Sequence, residues 1–162
     1  MPADPAPRAH SPGPRTRMDD LTVERVLRVV EAIPVGRVVA YGEVGAIVGV
    51  GPRLVGRIMG TWGSSVPWWR VTNSYGDHPL LARALPHWER EGIELKPNGL
   101  GCRMSRYGAD LEQLRADAAP ALAELETTAE AEAAAEAEAA AEAEAESIST
   151  PPAHSTGRSS KK

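Results

Sequence analysis

Large apolar side chains are confined to the middle of this chain, which limits how much of it can fold around a core. Residues 1–17 contain five Pro and three Arg with almost nothing to bury, and they lack the apolar run of a signal peptide. From Ala119 onward the chain consists of Ala and Glu and then of a polar Ser/Pro/Thr/Lys stretch. We therefore predict a disordered basic arm at 1–17, one small domain at 18–118 and an acidic low-complexity tail at 119–162.

Charge is segregated along the chain, so the net value of -4 hides three different parts. The arm has three Arg against one Asp, the tail has nine Glu against one Arg and two Lys, and the central domain holds 12 charges of each sign. Within the domain, residues 37–70 contain four Arg and a single Glu. A basic patch on a neutral domain favours a polyanionic partner, although surface arginines also cluster by chance.

The cysteine content and the lack of long apolar runs indicate the compartment. Cys102 is the only cysteine, so the chain forms no internal disulfide, which is typical of a reducing environment. No apolar segment approaches the roughly 20 residues that span a membrane. We expect a cytoplasmic, monomeric protein that needs neither a membrane, a metal nor a cofactor.

The spacing of apolar residues predicts a mainly α fold with minor β. Apolar residues from Leu21 to Ile33 recur at helical spacing, Asp19 and Asp20 precede them as candidate caps, and Pro34 ends the pattern. A short β-branched run between two glycines then predicts a strand or an extended lead-in. Further helices are predicted at 41–48, 52–60, 80–91 and 110–118. The first two of these are joined by Gly-Val-Gly and form a helix-turn-helix candidate.

The helix predicted at 52–60 has two contrasting faces. One carries an apolar stripe, and the opposite one carries only arginines and glycines. We call the second the arginine-glycine face; it consists of Arg53, Gly56, Arg57 and Gly60. Because each Gly in a helix costs about 1 kcal/mol relative to Ala, two on one face indicate that a partner approaches the backbone, and the arginines favour phosphate. The alternative is that the glycines pack against another element or end the helix at Gly60.

The Ala/Glu segment repeats the six residues EAEAAA. At 100° per residue its glutamates wind around every side of a helix, so no apolar stripe results. Glutamates four residues apart repel each other, whereas alanine favours helix. We expect a partly helical, solvated segment without a core, whose negative charge keeps it away from DNA.

Three ordered stretches resemble a known family. The runs IPVGRVVAYGEVGAIVG, PRLVGRIM and VPWWRVTNSYG are similar to the DNA-binding domain of the O6-alkylguanine-DNA alkyltransferases, and more closely to their non-enzymatic relatives, the alkyltransferase-like proteins. The resemblance implies a small helix-turn-helix (winged-helix-like) DNA-binding domain with disordered termini. It also implies duplex DNA containing O6-alkylguanine as the partner, association with the nucleoid when bound, and transfer of the lesion to nucleotide excision repair proteins.

The resemblance places two tryptophans where the alkyltransferases carry their reactive pair. Trp68 lies at the cysteine that accepts the alkyl group, and Trp69 lies at the histidine that activates it, which most alkyltransferase-like proteins keep. Because indole is neither a thiolate nor a base, we predict no catalytic residue and no alkyl transfer. Glu91 matches the acid that supports this histidine in the alkyltransferases, but here it has no histidine to support. A solvated carboxylate at the end of a helix is an interpretation of Glu91 with at least equal weight. Cys102 lies outside the motif, and we do not expect it to replace the nucleophile.

The resemblance also assigns roles on DNA. The helix at 52–60 would enter the minor groove, Arg53 would fill the gap left by a flipped nucleotide, and Tyr41 would crowd the adjacent phosphate. The residues expected at DNA are Tyr41, Arg53, Gly56, Arg57 and Gly60, and those expected in a lesion pocket are Trp68, Trp69 and Arg83.

Other interpretations stay open at this point. Trp68 and Trp69 could be core residues, as we predict for Trp62 and Trp88, and Arg70 is expected to brace the local backbone rather than touch DNA. A transcriptional regulator that reads the major groove is an alternative function, although the arginine-glycine face offers few groups that read bases. An active alkyltransferase that uses another residue is the second alternative.

Overall fold

The structure is a computed structural model that describes the backbone of residues 17–149 and the side chains of residues 20–147. All but the last residue of the predicted basic arm, and the end of the predicted tail at 150–162, lie outside the described residues. The chain divides after Glu126 into two units, of which the first contains every residue discussed as a site. No helix in the described part is both long and apolar enough to cross a membrane.

The first unit is mainly helical with one small sheet, which confirms the predicted fold class. Its elements, in chain order, are α1 (Arg17–Glu31), β1 (Val39–Ala40), α2 (Tyr41–Val48), α3 (Pro52–Trp62), β2 (Val71–Thr72), α4 (Leu81–Glu91), α5 (Met104–Tyr107) and the start of α6 (Leu111–Ser149). The two strands pair in parallel, with Val39 opposite Val71 and Ala40 opposite Thr72. A 3₁₀ turn, Trp68–Arg70, leads directly into β2.

Two apolar clusters hold this unit together. The larger one lies where α1 packs against α2 and α3, and it includes Val26, Val44 and Ile58. The second surrounds Trp88, which is fully buried as predicted, and includes Cys102. The 3₁₀ turn lies between α3 and α4, so both helices can contribute to a site beside it.

The helix-turn-helix is formed by α2 and α3, as predicted. Helix α2 ends at Gly49, whose φ of 94° lies in the left-handed region that favours glycine. A Cβ at Gly45 would collide with the carbonyl of Val50, so a side chain there would displace the turn. Pro52 is the first residue of α3, where its missing N–H costs nothing.

Three predictions about residues of α1 and α3 are corrected by the structure. Helix α1 begins at Arg17, so Asp19 and Asp20 lie within the helix instead of capping it from outside. Helix α3 continues to Trp62, so Gly60 does not end it. Trp62 is 38% exposed and is therefore not the core residue that we predicted.

Helix α6 is far longer than the short helix predicted at 110–118. It extends over 39 residues, because the helix propensity of its alanines outweighs the repulsion between its glutamates. Leu114 and Ala118 are buried in the larger cluster, Leu122 packs against it, and Glu126 pairs with Arg25 at 2.9 Å. The first unit thus includes helical residues beyond the boundary predicted at 118. In the second unit almost all described side chains from 127 to 147 are exposed.

Candidate nucleic-acid interface

A cavity of about 220 Å³ lies beside the first residue of the 3₁₀ turn, and we call it the Trp68 cavity. It is bounded by α2, α3, the loop after α3, the 3₁₀ turn and the segment that leads into α4. Its lining includes Tyr41, Gly56, Met59, Gly60, Ser64, Trp68, His78, Leu80 and Arg83. Five of the residues predicted to be functional therefore share one cavity. It is smaller than the roughly 300–1,000 Å³ of sites for drug-sized ligands, which suits a single heterocyclic base.

The arginine-glycine face of α3 is open. A Cβ built at Gly56 or at Gly60 would meet nothing within 4 Å, so neither glycine is packed against another part of the protein. Arg53 and Arg57 are exposed, and no ion pair is found for either among the described residues. The alternative that the glycines serve internal packing is thereby removed. This face presents bare backbone flanked by two unpaired cations, which suits an anionic surface that comes very close.

Trp68 is partly buried and is held by aromatic neighbours. The rings of Trp69, His78 and His87 form T-shaped pairs with it, with ring centroids 5.8, 5.4 and 5.6 Å away. The guanidinium of Arg83 lies 5.7 Å from the centroid of the Trp68 ring, in cation–π geometry. The indole is therefore held beside the cavity by its neighbours, with the Arg83 cation over its ring.

His78 connects the wall of the cavity to the 3₁₀ turn, although no sequence pattern predicted a role for it. Its Nδ1 accepts the N–H of Leu80 at 2.9 Å, so the neutral ring carries its proton on Nε2, 3.4 Å from the carbonyl oxygen of Trp68. Burial lowers the pKa of His78, although the contact with the Trp68 carbonyl opposes this effect. The ring is thus neutral near pH 7, with both nitrogens engaged. The only sequence signal was a histidine next to a proline after a predicted turn.

Trp69 does not line the cavity, which corrects the prediction that both tryptophans do. Its ring turns toward α4 and stacks on His87, with centroids 3.8 Å apart and planes 7° from parallel. The indole N–H of Trp88 donates to the Trp69 carbonyl at 2.7 Å. The two adjacent tryptophans therefore differ in role, since one faces the cavity and the other packs behind it.

Glu91 is not the solvated carboxylate that we considered, because its side chain is only 8% exposed. It forms an ion pair with Arg70, whose Nε lies 2.9 Å from Glu91 Oε1, and it also accepts the N–H of Gly36. Burial acts to raise the pKa of Glu91, but the hydrogen bonds from Arg70, Trp69 and the Gly36 backbone, together with the charge of Arg70, outweigh it, so the pKa is lowered. Arg70 also donates to the carbonyl of Ile33 at 2.9 Å, so it braces the backbone as predicted.

Cys102 offers no nucleophile to this cavity. It is fully buried in the Trp88 cluster and is not part of the cavity lining. Burial raises the pKa of its thiol to about 11, so the thiolate is scarce near neutral pH. Within the described residues, no group of His, Cys, Asp or Glu is arranged to hold a metal ion.

Known proteins match the part of the chain that forms this interface. The DNA-binding domain of 6-O-methylguanine DNA methyltransferase matches residues 22–95. A DNA base-flipping protein of Vibrio parahaemolyticus is 38% identical over 90 residues, which cover 51% of this chain and 89% of that protein. A DNA base-flipping protein of Escherichia coli is 38% identical over 87 residues, which cover 51% of this chain and 64% of that protein.

One solved structure adds a likeness in three dimensions. It is S. pombe Atl1 in complex with damaged DNA containing O6-carboxymethylguanine, and it is 31% identical to this chain. The likeness covers 56% of this chain and 96% of Atl1, with a TM-score of 0.51. It thus includes nearly all of Atl1, whereas much of the present chain has no counterpart there.

Proposed function

The chain belongs to the alkyltransferase-like relatives of the O6-alkylguanine-DNA alkyltransferases, and from this premise we propose that it binds DNA containing O6-alkylguanine without transferring the alkyl group. The observation that carries the proposal is Trp68, an indole on the wall of a cavity of the size of one base. The resemblance matches this residue to the nucleophilic cysteine of the alkyltransferases. The base-flipping proteins and the Atl1 complex support lesion binding.

Docking uses the arginine-glycine face of α3. With no Cβ at Gly56 or Gly60, the helix backbone enters the minor groove closely, and Arg57 meets a phosphate. Arg53, near the start of α3, fills the space that the flipped nucleotide leaves in the base stack. Both guanidinium groups are free for this purpose, because no ion pair within the described residues competes for them.

Flipping brings the damaged base into the Trp68 cavity. An alkylated guanine pairs badly, so extruding it costs less than extruding guanine. Tyr41 lines the cavity from the start of α2, and burial raises the pKa of its hydroxyl, which therefore stays protonated and can donate to a phosphate. Stacking on an aromatic side chain contributes about 1–3 kcal/mol per base, which Trp68 supplies.

The cavity retains the base without reacting. Alkyl transfer needs a thiolate and a base that removes the thiol proton, and neither the indole of Trp68 nor that of Trp69 can serve. His78, the histidine in the cavity wall, already uses Nδ1 as an acceptor and has a lowered pKa. Cys102 is buried elsewhere and protonated. A bound lesion therefore persists, and nucleotide excision repair acting on the cytoplasmic chromosome is the pathway that we propose removes it.

Binding to matched duplexes tests the first half of this proposal. Two oligonucleotides of one sequence, with guanine or O6-methylguanine at a central position, are titrated with the full chain at two salt concentrations. We expect tighter binding to the methylated duplex at both concentrations. Equal affinity for the two duplexes, together with preference for one sequence over others, would instead indicate a transcriptional regulator.

Mass spectrometry tests the second half. After incubation with excess methylated duplex, the intact protein should keep its mass, and the oligonucleotide should keep its methyl group. A methyl-sized mass increase on the protein would show transfer and would overturn this half, while the binding result would stand.

A further inference from the structure

Three side chains of α4 face three consecutive residues of the 3₁₀ turn, in the same order. Arg83 lies over the ring of Trp68, His87 stacks on Trp69, and Glu91 pairs with Arg70. The α4 residues are spaced i, i+4 and i+8, so they form one stripe along the helix. We call this set of three pairs the α4 ladder.

We propose that Trp69 and His87 form a positioning pair that holds Arg83 over Trp68 and thereby sets the shape of the cavity. This inference rests on the proposed function, because it concerns how the cavity distinguishes a damaged base. Neither ring of the pair touches the bound base, since neither lines the cavity. Their role is to fix the distance between α4 and the 3₁₀ turn at the middle one of the three pairs.

The geometry of α4 shows why the middle pair matters for the position of Arg83. The ion pair of Glu91 with Arg70 anchors α4 at its C-terminal end, and Arg83 lies eight residues earlier, about 12 Å along the helix axis. A tilt of about 10° around that anchor would move Arg83 by roughly 2 Å, enough to remove it from the Trp68 ring. The stack on His87 lies halfway between the two and opposes such a tilt.

The other contacts of α4 do not replace the stack. Ala84 and Trp88 are buried in the second apolar cluster, on the side of α4 that faces the core. The N–H of Trp88 fixes the Trp69 backbone through its carbonyl, but this bond does not itself set the orientation of the Trp69 ring. The Trp69 side chain also interacts with Glu91, and its ring centroid lies 5.5 Å from the Arg70 guanidinium, but both contacts are at the C-terminal end of α4. The parallel stack at 3.8 Å is the closest ring contact between the middle of α4 and the 3₁₀ turn.

His87 suits this role because its ring is also held by a second residue of α4. Arg90 donates to Nδ1 of His87 at 2.7 Å, one helical turn further along α4. A guanidinium can only donate, so Nδ1 is the acceptor, and this contact helps to fix the orientation of the imidazole ring. Removing Arg90 leaves the stack itself in place, which makes Arg90→Ala a matched control for His87→Ala on the same helix.

The first measurement uses the free protein. The guanidinium carbon of Arg83 lies over the Trp68 ring, 5.7 Å from its centroid, so we expect the ring current to shift the NMR resonance of the nearby δ-methylene protons upfield. We expect the upfield shift in the wild-type chain and in Arg90→Ala, its loss in His87→Ala, and its return in His87→Phe, which restores a flat ring. His87 is only partly buried, so the alanine variant should still fold, and its melting curve checks this. Retention of the shift in His87→Ala would overturn the inference.

The second measurement compares affinity for methylated and unmethylated duplexes. His87→Ala should reduce the lesion preference roughly two- to tenfold, the range that loss of one aromatic pair implies, and His87→Phe should restore it. An unchanged preference in a variant that has lost the Arg83 shift would also refute the role. If the wild-type chain itself shows no preference, the proposed function fails, whereas the Arg83 resonance still decides whether the pair positions that residue.

Discussion

Gly56→Ala should stabilise the protein and weaken its binding to DNA, two effects of opposite sign from one methyl group. Gly56 lies inside α3, and a Cβ there would meet nothing within 4 Å in the free protein. The substitution therefore carries no steric cost in the fold. It removes the backbone freedom that glycine gives the unfolded chain, which is the reason that alanine favours helix.

The magnitude on the stability side follows from helix propensity. Replacing an interior helical Gly with Ala contributes about 1 kcal/mol to the free energy of unfolding. For a unit of this size, that corresponds to a rise in melting temperature of about 4 °C. On the DNA side, a methyl group inserted into a close-packed contact costs about 1 kcal/mol, or roughly a fivefold loss of affinity. Gly56→Leu, which fills more of the gap, should cost about 3 kcal/mol, or more than a hundredfold.

The assay combines thermal unfolding with duplex titration for the wild-type chain and both variants. Gly42→Ala is the matched control, because Gly42 lies in α2 and an added Cβ there would only touch Pro52 at an ordinary 4.0 Å. It should bind DNA like the wild type. If Gly56→Leu also bound like the wild type, the arginine-glycine face could not be the surface that meets DNA. A fall in melting temperature for Gly56→Ala would refute the open position of this residue in α3.

Three further changes test separate parts of the interface. Arg57→Ala should weaken binding to damaged and undamaged duplexes alike, with an unchanged melting temperature. It should also reduce the slope of log affinity against log salt by about 0.9, and an unchanged slope would argue against a phosphate contact. Trp68→Ala should reduce the preference for the methylated duplex by about 1–3 kcal/mol; equal losses on both duplexes would place Trp68 in the core instead. Burial lowers the pKa of His78 in the folded chain below its ordinary value of 6.5. Between the two pKa values the unfolded chain binds more protons than the folded chain, so the free energy of unfolding should fall as the pH decreases through this window. His78→Asn keeps an acceptor for Leu80, and urea unfolding at several pH values should show a flatter profile for it; identical profiles would contradict the assignment.

Local patterns predicted most of the helical fold because the signals are local. Helices α1 and α3 are marked by apolar stripes, and α2 is bounded by glycine and proline residues that end and begin helices. These signals act within a few residues, and the structure shows the helices close to the predicted positions. Helix α6 was underestimated for a quantitative reason. Repulsion between glutamates four residues apart costs only a few tenths of a kcal/mol, whereas alanine is the best helix former at every position that it occupies.

The features of the site that the sequence did not predict depend on contacts between segments that are distant in the chain. The resemblance identified Trp68 and Arg83 as cavity candidates, and the structure places both there. The position of Trp69 could not be derived in the same way. In a 3₁₀ turn consecutive side chains diverge by about 120°, so two adjacent tryptophans cannot both face one cavity. His78 and His87 carry no pattern of their own, because their roles depend on which segments meet across the fold.

Glu91, which the resemblance matches to the acid that supports a histidine in the alkyltransferases, has structural contacts of its own. Here the carboxylate holds Arg70 and the N–H of Gly36, and Arg70 in turn holds the carbonyl of Ile33 just after α1. Breaking a buried ion pair by removing one partner costs about 3–5 kcal/mol, so the acid is needed for stability even where no histidine remains. The stack of Trp69 on His87 then holds the middle of α4, between Arg83 and that ion pair. The contacts that hold the framework around the cavity are therefore structural, and the proposal that a base held there does not react rests on the indole at position 68.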